Sequence, residues 1–138
     1  MELNILRADP AGNITVFVLD PVEKAQRAAI AEKIMAIPAL KAEQVGYACA
    51  AEDDVDGHME MMGGEFCGNA TRAYGMYIAQ QKGGLSSVRL RVSGCDHAVT
   101  AQVDLKSGTA RAEMPCPRSV KRVTAVSYTH LRAHETCA

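Results

Sequence analysis

Apolar residues along this chain fall into short runs or alternate with polar ones, and they recur at helical spacing in only two places. Residues 2–7 and 14–19 (ITVFVL) are short apolar, partly β-branched runs separated by Asp-Pro-Ala-Gly-Asn, a strong turn signal, and they predict two strands. The second run does not alternate, so it should be buried on both faces. Asp-Pro-Val-Glu follows. Asp20 is placed to cap a helix, Pro21 suits its first turn, and Glu23 occupies the capping-box position. That helix should reach about Met35, with Ile30, Ile34 and Ile37 as its apolar stripe and Pro38 closing it.

Residues 44–50 (QVGYACA) and 58–62 (HMEMM) predict strands on either side of the acidic turn EDDVDG. From Asn69 the period changes. Ala70, Ala73, Tyr74, Tyr77 and Ile78 follow helical spacing, and the helix should stop before Gly83-Gly84. Residues 87–93, 97–103 and 109–114 alternate like strands, which gives an α+β domain of roughly seven strands and two helices over residues 1–124. Beyond Thr124, AVSYTHLRAHETCA has no clear period. Residues 125–138 are expected to be a non-native or disordered tail, so His130, His134 and Cys137 carry no functional argument.

Composition narrows the partners. The 138 residues suffice for one domain, with 48% hydrophobic and 22% charged residues, ordinary values for a chain that folds. The net charge is −1 and the basic residues are scattered, which argues against nucleic acid as a partner and for a small ligand. No stretch approaches a membrane span and the N-terminus lacks a signal-peptide pattern, so no membrane association and a cytoplasmic location are expected. Five cysteines without a C-x-x-C pair argue against a disulfide framework and against a zinc site, so reduced thiols and no metal are expected.

The stretch GGEFCGNATRAYG, residues 63–75, carries the chemistry. Cys67 stands where coil becomes helix. Unpaired backbone N–H groups and the partial positive charge there favour an anion, and therefore a thiolate. Gly68 lets a ligand approach the main chain, and Asn69 offers an amide to a carboxylate or ammonium group. Glu65 should point to water, since an inward carboxylate would oppose a thiolate. The bland reading of Cys67 is a small buried hydrophobe in a turn. A cysteine hydrolase would need a histidine partner, and neither His58 nor His97 has a recognisable setting. A phosphate loop would need a Gly-Lys-Ser/Thr ending, which is missing.

FCGNATRA resembles the first catalytic-cysteine motif of the diaminopimelate epimerase family, cofactor-independent amino-acid racemases and epimerases whose usual form is C-G-N-G-x-R. PAGNITVFVLD is similar to the family's N-terminal G-N-D-F strand and puts Asn13 at a substrate-contacting asparagine. AEQVGYA is similar to the segment that supplies a substrate-contacting glutamine, here Gln44. With VRLRVSGC and the late EMP, the style is that of the histidine-racemase branch, which feeds staphylopine-type metallophore synthesis. The resemblance covers residues 3 to about 123.

The resemblance implies a mixed or antiparallel sheet curved around a central helix, one of two similar domains. It also implies an active site in which two cysteines face each other across an amino-acid substrate, without metal or pyridoxal phosphate. Cys67 would be one of the pair, with Asn13, Gln44, Gly68 and Asn69 binding substrate. Nothing after Pro117 offers a second glycine-flanked cysteine, and Cys49, Cys95 and Cys116 look like core or turn residues. This chain is therefore expected to be the N-terminal half, to lack a C-terminal domain and to be inactive alone. Homodimer formation stays open. The family's upstream N-A-D-G-S asparagine is replaced here by the region of His58 or Glu60, which puts diaminopimelate itself in doubt, and Ile14 or Thr15 stands for its G-N-D-F aspartate. Diaminopimelate epimerase proper and a non-catalytic reactive-thiol or redox-sensing domain are the alternatives. A phenazine-type isomerase relative would carry an acidic residue at position 67. Arg72 is expected to be solvated or ion-paired.

Overall fold

The computed structural model describes residues 1–124; the expected tail at 125–138, with His130, His134 and Cys137, lies outside the described residues. The elements in chain order are β1 (Ile5–Ala8), β2 (Thr15–Val18), α1 (Lys24–Met35), β3 (Gln44–Cys49), β4 (Gly57–Met61), α2 (Gly68–Gln81), β5 (Ser87–Val92), β6 (Val99–Asp104) and β7 (Thr109–Ala112). The strands form one sheet in sequence order. The β2–β3 and β4–β5 pairs are parallel and the other four antiparallel.

Each parallel pair is joined by a helix, and both crossovers step the same way across the sheet. Because β4 runs antiparallel to β3, and so to β2, the right-handed rule for such crossovers sends the two helices to opposite faces. That is what is found. α2 is enclosed by the inner face, where Leu6, Phe17, Ala48, Met59, Leu90, Ala101 and Ala110 bring every strand of the curled sheet into one core with Tyr74 and Ile78. α1 covers the outer face of β2 and β3, where Ile30, Ala31 and Ile34 pack on Val16, Val18, Val45 and Tyr47. Strand β2 lies between the two helices, and all four of its residues are buried as its unbroken apolar run predicts.

Some boundaries differ from the pattern. Asp20 does not cap α1; the N-cap is Glu23, with no side-chain cap bond. The Asp20 carboxylate instead accepts from the Asn4 main-chain N–H and side-chain amide, at 2.5 and 3.1 Å, tying the start of the chain to the end of β2. Ile37 is 45% exposed because the helix stops at Met35 and its stripe holds only Ile30, Ala31 and Ile34.

Two glycines fix how closely the layers approach. A Cβ on Gly75 would lie 2.8 Å from Cβ of Ala101, so only glycine lets α2 sit this close to β6. Gly94 has φ +75°, and a Cβ there would lie 2.3 Å from the main-chain nitrogen of Phe66. Next to it, the Ser93 hydroxyl accepts from the Met61 N–H at 2.8 Å and donates to the Glu65 carbonyl at 2.7 Å. The Ser-Gly turn after β5 thus grips both ends of the loop that delivers Cys67.

Candidate functional site

Cys67 is the N-cap of α2, in extended conformation (φ −131°, ψ 113°), and its sulfur accepts from the Ala70 N–H at 3.4 Å. Its carbonyl accepts from both the N–H and the hydroxyl of Thr71, at 2.9 and 2.8 Å, which anchors the cap to the first turn. Thr71 is fully buried. At the head of the helix the N–H groups of Gly68 and Asn69 have no intrahelical partner, so they remain donors for an anion.

The register of the sheet brings the other candidates to this sulfur. Thr15 and Gln44 open the parallel strands β2 and β3 and are direct partners. Gln44 Nε2 lies 3.2 Å from Cys67 Sγ, 2.8 Å from Asn13 Oδ1 and 2.7 Å from Thr15 Oγ1. An amide nitrogen has two hydrogens, so three acceptors compete for them and the sulfur shares its donor. Asn69 Nδ2 also faces Asn13 Oδ1, at 3.4 Å, and Asn13 Nδ2 donates to Glu43 Oε2 at 2.9 Å. The Pro-Ala-Gly turn holds Asn13 in place: its N–H donates to the Pro10 carbonyl at 3.2 Å, and Ala11 and Gly12 both take positive φ.

Cys67, Asn13, Gln44, Gly68 and Asn69 therefore meet in one cluster drawn from three separate stretches of chain. Donors converge on the sulfur, while the nearby carboxylates turn elsewhere: Glu65 is exposed, as expected, and Glu43 is engaged by Asn13. Above Gly68 sits the exposed side chain of Met114, whose sulfur would be 3.0 Å from a Cβ at that position, so the glycine lets Met114 lie close over the helix head. The two concavities described in this chain lie elsewhere. The first, about 380 Å³, runs along α2 between β1 and β7 and adjoins the cluster through Arg72.

Several residues escaped the sequence. Arg72 is partly exposed and makes no ion pair among the described residues; its guanidinium donates to Asn69 Oδ1 at 2.5 Å and so orients that amide. Thr15, wholly buried, holds the Gln44 amide, and Ser93 with Gly94 hold the cysteine loop. The signal for Thr15 and Gln44 was their shared place at the head of a strand, visible only once the strands are known to be parallel neighbours.

His58 and Glu60 do not stand in the cluster. Residues of β4 alternate between faces, and Met59 and Met61 point inward to the core. His58 and Glu60 take the opposite, outer face, where Glu60 pairs with Arg27 of α1 and lies 3.6 Å from His58 Nε2. Cys49 lies on the same face, 3.5 Å from the Arg27 guanidinium. Burial pushes the Cys49 thiol up and the charge of Glu60 adds to it, against the opposing pull of Arg27. Half-burial opposes the charge of Glu60, but Arg27, Lys24 and His58 together hold its carboxyl below the usual range. Cys95 sits in the turn after β5 and packs on the core, while Cys116 is exposed. No helix among the described residues is long and apolar enough to cross a membrane.

Comparison with known proteins identifies the family. Residues 2–135 match the family model described as the histidine racemase CntK N-terminal domain. A histidine racemase of Fusobacterium nucleatum is 42% identical over 79 residues, covering 56% of this chain and 27% of the relative. A histidine racemase of Staphylococcus aureus (strain Mu50) is 34% identical over 99 residues, 69% of this chain and 36% of the relative. The matched region thus spans about a quarter to a third of the length of these relatives. The α+β domain built around Cys67 belongs to the histidine racemase CntK N-terminal domain family.

Proposed function

We propose that this chain supplies the Cys67 half of a cofactor-independent amino-acid racemase site, in a domain of the diaminopimelate epimerase type spanning residues 1–124, and that the substrate of the whole protein is histidine. The substrate follows the names of the relatives. The observation that carries the chemistry is the sulfur of Cys67 at a helix head, met by N–H donors from Ala70 and Gln44.

Inversion at an α-carbon takes a proton from one face and returns one to the other. A thiolate at Cys67 accepts the α-proton and becomes a thiol, and the electron pair left on carbon spreads into the substrate carboxylate. A second thiol, supplied by another domain of the whole protein, gives its proton to the opposite face and becomes the thiolate; in the reverse direction the two exchange roles. The free N–H groups of Gly68 and Asn69 suit the carboxylate, where the charge develops, and Asn13, Gln44 and the Asn69 side chain offer amide groups to the ammonium and carboxylate. With Cys67 as its one catalytic thiol, residues 1–124 alone do not racemise.

The test is chiral chromatography of L-histidine incubated with the full-length protein. Wild type should yield the D-isomer, and Cys67→Ser should lower the rate by at least about 10²-fold, the usual contribution of a positioned acid or base. An unchanged rate in the serine variant removes Cys67 from the reaction.

A further inference from the structure

The outer face of the sheet carries a second constellation, which the racemase chemistry does not use. We propose that Cys49, His58 and Glu60 form a binding site for a divalent transition cation of the zinc class, with the Arg27 guanidinium as its displaceable occupant.

One donor atom from each of the three residues lies within 4.8 Å of the others, and all three are half-buried. Residue spacing hides this set, which is why the sequence shows no zinc pattern. The antiparallel pairing sets Cys49 directly opposite His58, and Glu60, opposite Tyr47, falls on the same face two residues on. Ligands on a tetrahedral zinc ion, at roughly 2.0–2.3 Å from the metal, lie roughly 3.3–3.8 Å apart, so closure asks only small side-chain movements.

The orientation of His58 suits a bound cation. His58 Nδ1 lies 3.3 Å from the Ala50 carbonyl, which only accepts, so Nδ1 carries the hydrogen. Nε2 is left facing Glu60 Oε1 at 3.6 Å, where it can carry a proton or present a lone pair to a metal ion. A proton on Nε2 makes the ion pair with Glu60, and a dication bound between the two groups would take that proton's place. A carbonyl-oriented imidazole with its other nitrogen turned to a carboxylate and a thiol is also how metal-binding histidines are held.

Arg27 now occupies the cation's place, donating to Glu60 and reaching Cys49. A guanidinium there neutralises one carboxylate. A dication matches both the carboxylate and the thiolate that forms when Cys49 releases its proton to solvent, and metal–thiolate bonding outweighs a partly exposed ion pair. Lys24, whose side chain is 81% exposed at the edge of the cluster and 3.8 Å from Glu60, leaves a way in from solvent.

The test uses the 138-residue chain, stripped with chelator and titrated with cobalt(II) and then zinc(II), with folding of every variant checked by circular dichroism. One cobalt per chain should bind with a thiolate-to-cobalt charge-transfer band that zinc abolishes. The band should vanish in Cys49→Ser and persist in Cys67→Ser and Cys95→Ser. His58→Gln should weaken binding at least tenfold, and Arg27→Met should tighten it about tenfold. If Cys49→Ser does not fold, loss of affinity in His58→Gln and Glu60→Gln decides the matter. Absence of the band in the folded chain overturns the proposal. So does its survival in Cys49→Ser or its loss in Cys95→Ser, which would place the ion at the half-buried Cys95 with the exposed Asp96 and His97 instead. Weaker binding by Arg27→Met overturns the role given to Arg27.

Discussion

Cys67 and Cys49 lie on opposite faces of one curled sheet, and their surroundings differ in the kind of neighbour each has. Cys67 heads a helix and meets neutral N–H donors, from Ala70 and Gln44. Cys49 ends a strand beneath α1, among charged side chains: Arg27 beside it and Glu60 across the hairpin. Neutral donors favour a charge that comes and goes during proton transfer, while fixed charges and burial hold a thiol in one state until a stronger cation arrives. A cysteine's chemistry here follows from the element that presents it, and the two presentations arise from two crossovers placing their helices on opposite faces.

The largest expected effect concerns how the inner cysteine is delivered. Gly94→Ala places a Cβ against the Phe66 main chain at positive φ, and it should destabilise the domain by about 3 kcal/mol, read as a shift in the urea midpoint. A shift under about 1 kcal/mol would mean that the cysteine loop is not gripped as described. Next, peptide-resolved alkylation with iodoacetamide near pH 7 should modify Cys67 about tenfold faster than Cys49, whose thiol burial pushes up. Equal rates would erase the contrast between the faces.

A change of similar size is expected at Thr15, which touches Gln44 rather than the sulfur. In the full-length protein Thr15→Val should lower kcat about tenfold with little change in KM, and Thr15→Ser should restore most of it. An effect on stability alone would make Thr15 a core residue only. The smallest effect lies on the outer face. The Glu60 carboxyl is held below its ordinary value of 4.5 by Arg27, Lys24 and His58 against the cost of half-burial. A depressed folded value gives stability that is present above pH 4.5 and lost as the pH falls through that lower value. The gap in stability between wild type and Glu60→Gln should therefore be under about 1 kcal/mol at pH 7 and close on acidification below pH 4.5. A gap that widens in acid would contradict the ion-pair account.

What was legible in the sequence was local. The helix head at Cys67 shows in the change of period at Asn69, the double burial of β2 in its unbroken apolar run, and the turn at Asn13 in Pro-Ala-Gly-Asn. What was not legible depends on which strand lies beside which. Thr15 acquires its task from parallel pairing with Gln44, and Arg72 from where α2 sits under the Asn13 turn. Asp20 has every local mark of a helix cap yet is taken by Asn4, because the chain's first residues return beside the end of β2. For His58 and Glu60 the signal was present: the alternation in HMEMM separates them from the inward methionines, and it outweighs their nearness in sequence to Cys67.

The most direct test of the inner site is loss of the α-hydrogen from single L-amino acids in heavy water, followed by proton NMR with the full-length protein. Wild type and Cys49→Ser should exchange the α-hydrogen of L-histidine at similar rates, and Cys67→Ser should leave it in place. Exchange at the wild-type rate in Cys67→Ser, or its loss in a folded Cys49→Ser, would contradict the assignment of proton transfer to the sulfur at the head of α2.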